Sequence, residues 1–242
     1  GSWRSVMRRS HRTAPVNLRN RWCSDIMPQP AHNRAYLAVC IRDPRNELIP
    51  AECENLTGGT PDRYGVARCH TVDRVPYACY IRSGLRLIAE AKTLEALIDR
   101  VSQTEFEPEA FRVELFRLSK QVKIDRWDAM RRVADAIPYH PDIHSPKHRY
   151  LILVRDGWYC LGEILTEQTH DYRRHDDKPW RTSSSLPSQL ARALVNLVVP
   201  GAKTILDPCC GAGSVLLEAC YLGVEAHGAD LNRRMVGMSR KN

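Results

Sequence analysis

Asp207-Pro208-Cys209-Cys210-Gly211-Ala212-Gly213 is the stretch whose reading decides the fold. Thr204-Ile205-Leu206 runs into it as a short buried-type strand, and Ser214 to about Tyr221 continues from it as a helix. Gly211 and Gly213 let the backbone turn sharply and admit a ligand closer than any Cβ permits. The helix that follows offers N–H donors at its first turn. A second short strand, Glu225 to Ala229, ends in Asp230. An acid at the tip of the second strand, about 20 residues past the glycine turn, is where a doubly wound α/β fold hydrogen-bonds a ribose hydroxyl pair. The order of parts therefore points to an adenosine-containing cofactor. A dinucleotide is disfavoured because G-x-G-x-x-G is incomplete: Leu216 stands three residues after Gly213. The plainer alternative is a turn in an unrelated α/β protein.

Working outward, Ser185 is expected to start a helix with Leu186, Leu190, Leu194 and Leu197 inside, ended by Pro200-Gly201. Residues 167–184 are polar and unpatterned and read as a linker. Further upstream, Tyr36 to Ile41 reads as a strand. Leu48, Cys53 and Leu56 then recur at helical spacing up to Gly58-Gly59. Val66 to Thr71 and Pro76 to Arg82 are expected strands, and Thr93 caps a helix facing inward through Leu94, Leu97, Ile98 and Val101. A second unit opens with the alternating strand Phe111, Val113, Leu115. Asp125 caps the next helix, with Trp127, Met130, Ala134 and Ile137 as its apolar stripe. Arg155-Asp156-Gly157 joins two further strands in a hairpin, since Asp-Gly suits the positive φ angles of a type I′ turn.

The whole chain sets bounds on this. Its 242 residues, 43% hydrophobic, suffice for one large or two small domains. No run reaches the roughly 18 to 20 apolar residues of a membrane span. A soluble, cytoplasmic protein is the expectation, with no membrane partner. Nine scattered cysteines lack C-x-x-C spacing and are expected as reduced thiols. The net charge of +8 favours a polyanionic partner. Part of the excess lies in the first 22 residues, where Arg4, Arg8, Arg9, Arg12, Arg19 and Arg21 occur with no acid; residues 1–33 read as a disordered basic extension. His140, His144 and His148 are spaced as on one helical face, but Pro138, Pro141 and Pro146 forbid that helix, so they are expected in loops and no metal site is predicted.

The glycine stretch, with Leu217-Glu218-Ala219 behind it, resembles the D-P-x-C-G-[ST]-G-x-x-L-x-E-A signature of the THUMP-containing RNA guanosine-N2-methyltransferases, departing from it at Ala212. Ser185-Leu186-Pro187 and Leu190-Ala191-Arg192-Ala193 also resemble the helix preceding that signature. Residues 34–166 resemble, more diffusely, the family's paired N-terminal domains, at Glu52, Pro141-Asp142-Ile143, Pro146 and the 150–162 hairpin. The resemblance implies an α/β chain with a ferredoxin-like domain at 34–92, a THUMP-like RNA-binding domain at 93–166, a linker at 167–184 and, at 185–242, the start of a Rossmann-like methyltransferase domain. It implies S-adenosylmethionine as cofactor. Asp207, Pro208, Cys210, Gly211 and Gly213 would shape the pocket for its methionine end, Asp230 would hold the ribose, and Leu231 and Asn232 would border the adenosine.

The implied reaction transfers a methyl group to the N2 amine of a guanosine in tRNA. The family's D/N-P-P-Y/F loop is absent, so catalytic residues are not assigned; Asp177-Lys178-Pro179-Trp180 is an imperfect substitute and is not favoured. Lys120, Lys123, Arg126, Arg131, Arg132, Lys147, His148 and Arg149 are the expected RNA face, each with a solvated surface as its plain alternative. A non-catalytic THUMP-type module delivering tRNA to a partner is the rival function; a DNA or small-molecule methyltransferase is a third. The sequence further predicts no turnover by these residues alone, with 200–242 covered by further chain or by self-association.

Overall fold

The computed structural model describes residues 36–242, so the basic extension expected at 1–33 lies outside them. Strands β1 (Tyr36–Cys40), β2 (Val66–Cys69), β3 (Ile81–Ala91), β4 (Phe111–Arg117), β5 (His148–Arg155) and β6 (Trp158–Glu167) form one sheet in the order β2-β1-β3-β6-β5-β4. Only β4 and β5 run parallel. Helices α1 (Leu48–Thr57), α2 (Leu94–Ser102) and α3 (Arg126–Asp135) cover one face. Strand alternation sorts the side chains: Ala38 and Cys40 meet α1 while Leu37 and Val39 join Leu85, Leu151 and Leu153 on the opposite face. The stretches 34–92 and 93–166 thus share a single sheet through the β3–β6 pairing.

The capping signals act as read. Thr93 Oγ1 accepts from Ala96 N at 3.2 Å, and Asp125 Oδ1 accepts from Trp127 N and Asp128 N at 2.9 and 3.1 Å. Gly58 closes α1 at φ +74°. Other expectations are corrected. Of the stripe expected on α3, Met130 and Ala134 pack half-buried beside the buried Ala129 and Val133, and Ile137 just beyond the helix is buried, but Trp127 is 79% exposed, because it lies two residues off the 129–133–137 spacing. Strand β3 begins at Ile81, not Pro76; Val75–Tyr77 is a 3-10 turn and the N–H groups of Cys79 and Tyr80 are taken by the Glu52 carboxylate. His148 belongs to β5 and is not a loop residue. In the hairpin, Gly157 has φ +63° while Asp156 does not share the positive φ that type I′ demands of both residues.

Downstream lie α4 (Ser188–Asn196), β7 (Thr204–Asp207), α5 (Ser214–Tyr221), β8 (Glu225–Gly228) and α6 (Arg233–Ser239). Strands β7 and β8 pair in parallel, from Thr204 opposite Glu225 to Asp207 opposite Gly228. The expected linker is not free chain: Asp171–Asp177 is a 3-10 helix, and Tyr172 and Lys178 are buried. Helix α4 is rotated from its expected phase. Leu186 and Leu194 are exposed, whereas Ala191, Arg192, Val195 and Asn196 face inward, because two polar side chains find buried partners there. Leu206 is 69% exposed. The described cysteines are free thiols, and no helix among the described residues is long and apolar enough to cross a membrane.

Candidate functional site

The glycine turn is built from hydrogen bonds that join the tips of β7 and β8. Asp207 Oδ1 accepts from Cys209 N at 3.0 Å, and its backbone oxygen accepts from Ala229 N at 2.9 Å. Cys210 N donates to Ala229 O at 2.9 Å. The Asp230 carboxylate spans the gap: Oδ2 accepts from Gly211 N at 2.9 Å and Oδ1 from Asn232 N at 2.8 Å. Each oxygen retains acceptor capacity, so Asp230 can both hold the turn and take a hydroxyl. Gly211 and Gly213 stand at φ +52° and +83°, as the sharp turn requires.

The two glycines differ in what surrounds them. A Cβ at Gly211 would meet nothing within 4 Å, so this position opens onto free space. A Cβ at Gly213 would collide with the side chain of Ser239 on α6. The expectation that a side chain at Gly213 enters the ligand's space is therefore corrected: Gly213 is small because α6 packs on it. Pro208 and Cys209 are exposed and Cys210 is buried, its thiol pushed up by burial. Leu231 is fully exposed. Asn232 caps α6 through Arg234 N at 2.9 Å, so its side chain is already engaged. The N–H groups of Ser214 and Val215 in the first turn of α5 have no acceptor among the described residues, leaving the donor-rich end that an anion needs.

Sequence reasoning missed the segment that packs over this turn. Lys178 Nζ donates to Ser214 Oγ at 2.7 Å. The Asn242 side chain accepts from Trp180 N at 3.0 Å and donates to Ala212 O at 2.8 Å. Behind the turn, Arg192 Nε donates to Glu218 Oε2 at 2.7 Å and its Nη1 to Asp171 Oδ1 at 2.9 Å; His175 Nδ1 meets Glu218 Oε1 at 2.7 Å. Arg192 and Glu218 are fully buried, so α4, α5 and the 3-10 helix are locked around one charge network.

The expected RNA residues do not form one face. Lys120, Lys123 and Arg126 follow the C-terminal end of β4, whereas Lys147, His148 and Arg149 sit where parallel β5 begins, beside Ala110 and Phe111. A seven-residue strand separates the groups, about 20 Å at strand rise. Several of them are also occupied. Arg149 pairs with Glu114 at 2.9 Å and with Glu167; Arg131 and Arg132 pair with Asp128, and Arg132 also with Glu95. His148 lies 2.7 Å from Glu163 and 3.1 Å from Glu109, and the Glu163 hydrogen bond holds its pKa above the usual histidine value. Glu107, Glu109 and His148 bring three ligand-type atoms within 4.8 Å of one another, a cluster the sequence reading did not foresee. Lys120, Lys123, Arg126 and Lys147 make no ion pair among the described residues.

Strand β7, the glycine turn, α5 with its free first-turn N–H groups and Asp230 after β8 thus stand together as one strand–turn–helix–strand unit. Residues 174–242 match the family described as UPF0020, RMKL-like, methyltransferase domain. The tRNA (guanine(10)-N2)-dimethyltransferase of Methanothermobacter thermautotrophicus is 38% identical over 94 residues, 38% of this chain and 28% of that protein. The enzyme of the same name from Pyrococcus abyssi is 38% identical over 72 residues, 30% of this chain and 22% of that protein. The matched stretch thus spans about a quarter of the length of these curated relatives. In fold, the chain is similar to the crystal structure of TrmN from Thermus thermophilus, at a TM-score of 0.52 and 23% identity over 85% of this chain and 68% of that one. Residues 174–242 are thus similar to an RMKL-like methyltransferase domain, and part of the chain is similar to tRNA (guanine(10)-N2)-dimethyltransferases.

Proposed function

We propose that the chain is the RNA-binding and cofactor-binding part of an S-adenosylmethionine-dependent tRNA methyltransferase acting on the N2 amine of a guanosine. The observation that carries this reading is the Gly211 turn, clamped to Asp230 and open where a Cβ would stand. These residues fit the cofactor: Asp230 keeps lone pairs for the ribose hydroxyls, and the first turn of α5 offers N–H donors to the amino-acid end. When bound, S-adenosylmethionine supplies an activated methyl group on sulfur, so positioning is the protein's main task.

The chain's own residues perform that positioning. The Asp207 and Asp230 carboxylates fix the turn, and Gly211 keeps its open side clear. Helix α4 anchors the site to the β-sheet part through Asn196 and Glu52. The N-terminal sheet then supplies a tRNA-docking part of the ferredoxin-like and THUMP type, with Lys120, Lys123 and Arg126 as its free cations. The names of the relatives support tRNA over DNA or a small molecule as substrate. They also favour an enzyme over a delivery module.

The test is to incubate the full-length protein with methyl-labelled S-adenosylmethionine and bulk tRNA, digest the RNA and identify the labelled nucleoside. Label in N2-methylated guanosine is expected. Label in another nucleoside, or in none, overturns the reading.

A further inference from the structure

Lys178 is a buried cation without a counter-ion. It is 9% exposed, and its Nζ donates to a neutral partner, Ser214 Oγ, which itself donates to Leu186 O at 3.1 Å. The nearby acids are committed elsewhere. Asp176 Oδ1 accepts from Ser188 N, and Glu218 holds Arg192 and His175. No carboxylate among the described residues comes within ion-pair distance of Lys178. An ammonium has three donors, and one is used here. Burial pushes the Lys178 pKa down, with Asp176 and Glu218 opposing from a distance. Sequestering such a charge is costly unless an anion meets it.

Its position says which anion. Ser214 opens α5, whose Ser214 and Val215 N–H groups lack acceptors, and the Gly211 turn leaves free space alongside. A buried ammonium beside a helix N-terminus in a turn that accepts an adenosine cofactor meets the part of that cofactor that is anionic. We propose that Lys178 binds the α-carboxylate of the cofactor's amino-acid end, with the α5 N–H groups as co-donors. This rests on reading the Gly211 turn as the S-adenosylmethionine site. It assigns the basic residue of the 177–180 segment to cofactor recognition and removes that segment from the search for a catalytic loop.

The experiment compares two probes on the full-length protein by calorimetry: S-adenosylhomocysteine and its decarboxylated analogue, which lacks only the carboxylate. The unaltered protein is expected to prefer the carboxylate-bearing probe by about 10- to 100-fold, the range of a charged hydrogen bond. Lys178→Gln is expected to bring that preference to within about threefold of unity, and Lys178→Arg to restore part of it. Lys178→Met replaces the glutamine variant if the latter does not fold. A purely structural lysine would weaken both probes alike and leave the ratio intact, which overturns the proposal while the cofactor site stands. Failure of the unaltered protein to bind either probe overturns both.

Discussion

Asn196 Nδ2 donates to Glu52 Oε1 at 2.7 Å, joining α4 to α1 with both side chains buried. The same carboxylate accepts from Cys79 N at 2.9 Å and Tyr80 N at 2.8 Å, and Asn196 also donates to Tyr77 O at 3.0 Å. Burial raises the Glu52 pKa while these hydrogen bonds hold it down. One acid therefore ends the 3-10 turn, starts β3 and seats the helix that leads towards β7 and the glycine turn. Replacing Asn196 by Leu removes a donor from a buried acceptor, a loss of about 1–3 kcal/mol. Urea unfolding should show a lower midpoint; an unchanged midpoint would refute the seating role.

The Arg192–Glu218 pair makes a stronger demand. Arg192→Met leaves Glu218 buried with only His175 beside it, and such breakage costs about 3–5 kcal/mol. Arg192→Met with Glu218→Leu should recover part of the loss, because no buried carboxylate is then left at position 218, although Asp171 still lacks its Arg192 partner. A double variant as unstable as the single one would contradict this account.

His148 gives the pH dependence. Its folded pKa is raised, chiefly by the Glu163 hydrogen bond. A raised value means the imidazolium contributes stability that is fully present below the unfolded value of about 6.5 and is lost as pH climbs through the folded value. Unfolding free energy measured from about pH 6 to about pH 9 should fall along that window, and His148→Gln should flatten it. An equal slope in the variant would remove His148 as the cause.

For RNA, the free cations are the ones to change. Replacing Lys120, Lys123 and Arg126 together by Gln should weaken many tRNAs similarly and reduce the salt slope by about 2 to 3, since each phosphate contact contributes about one. Replacing Arg149 should chiefly lower stability, because Glu114 and Glu167 already hold it. Filter binding across salt concentrations reads the first, and a slope unchanged in the triple variant would place the RNA elsewhere.

What was legible in the sequence was local. Thr93, Asp125, Gly58 and the glycine turn declare themselves because a cap or a positive φ is decided within a few residues. The ends of α5 fall where the pattern put them. The phase of α4 was not legible, because Arg192 and Asn196 are core residues only by virtue of Glu218, Asp171 and Glu52, up to 144 residues away. The 167–184 stretch looked like linker for the same reason: its Asp171 and His175 are met by Arg192 of α4 and Glu218 of α5. Arg149 looked free until strand register brought Glu114 and Glu167 beside it.

The central claim is that the Gly211 turn and Asp230 form a cofactor site. It is tested most directly by titrating S-adenosylhomocysteine into the full-length protein and into Asp230→Ala, with unfolding measured in parallel to show that the variant is folded. The account predicts binding by the unaltered protein, weakened about 10- to 100-fold in the variant by loss of the ribose acceptor and of the Gly211 clamp. Equal affinity in the two proteins, or no binding by the unaltered one, would contradict it.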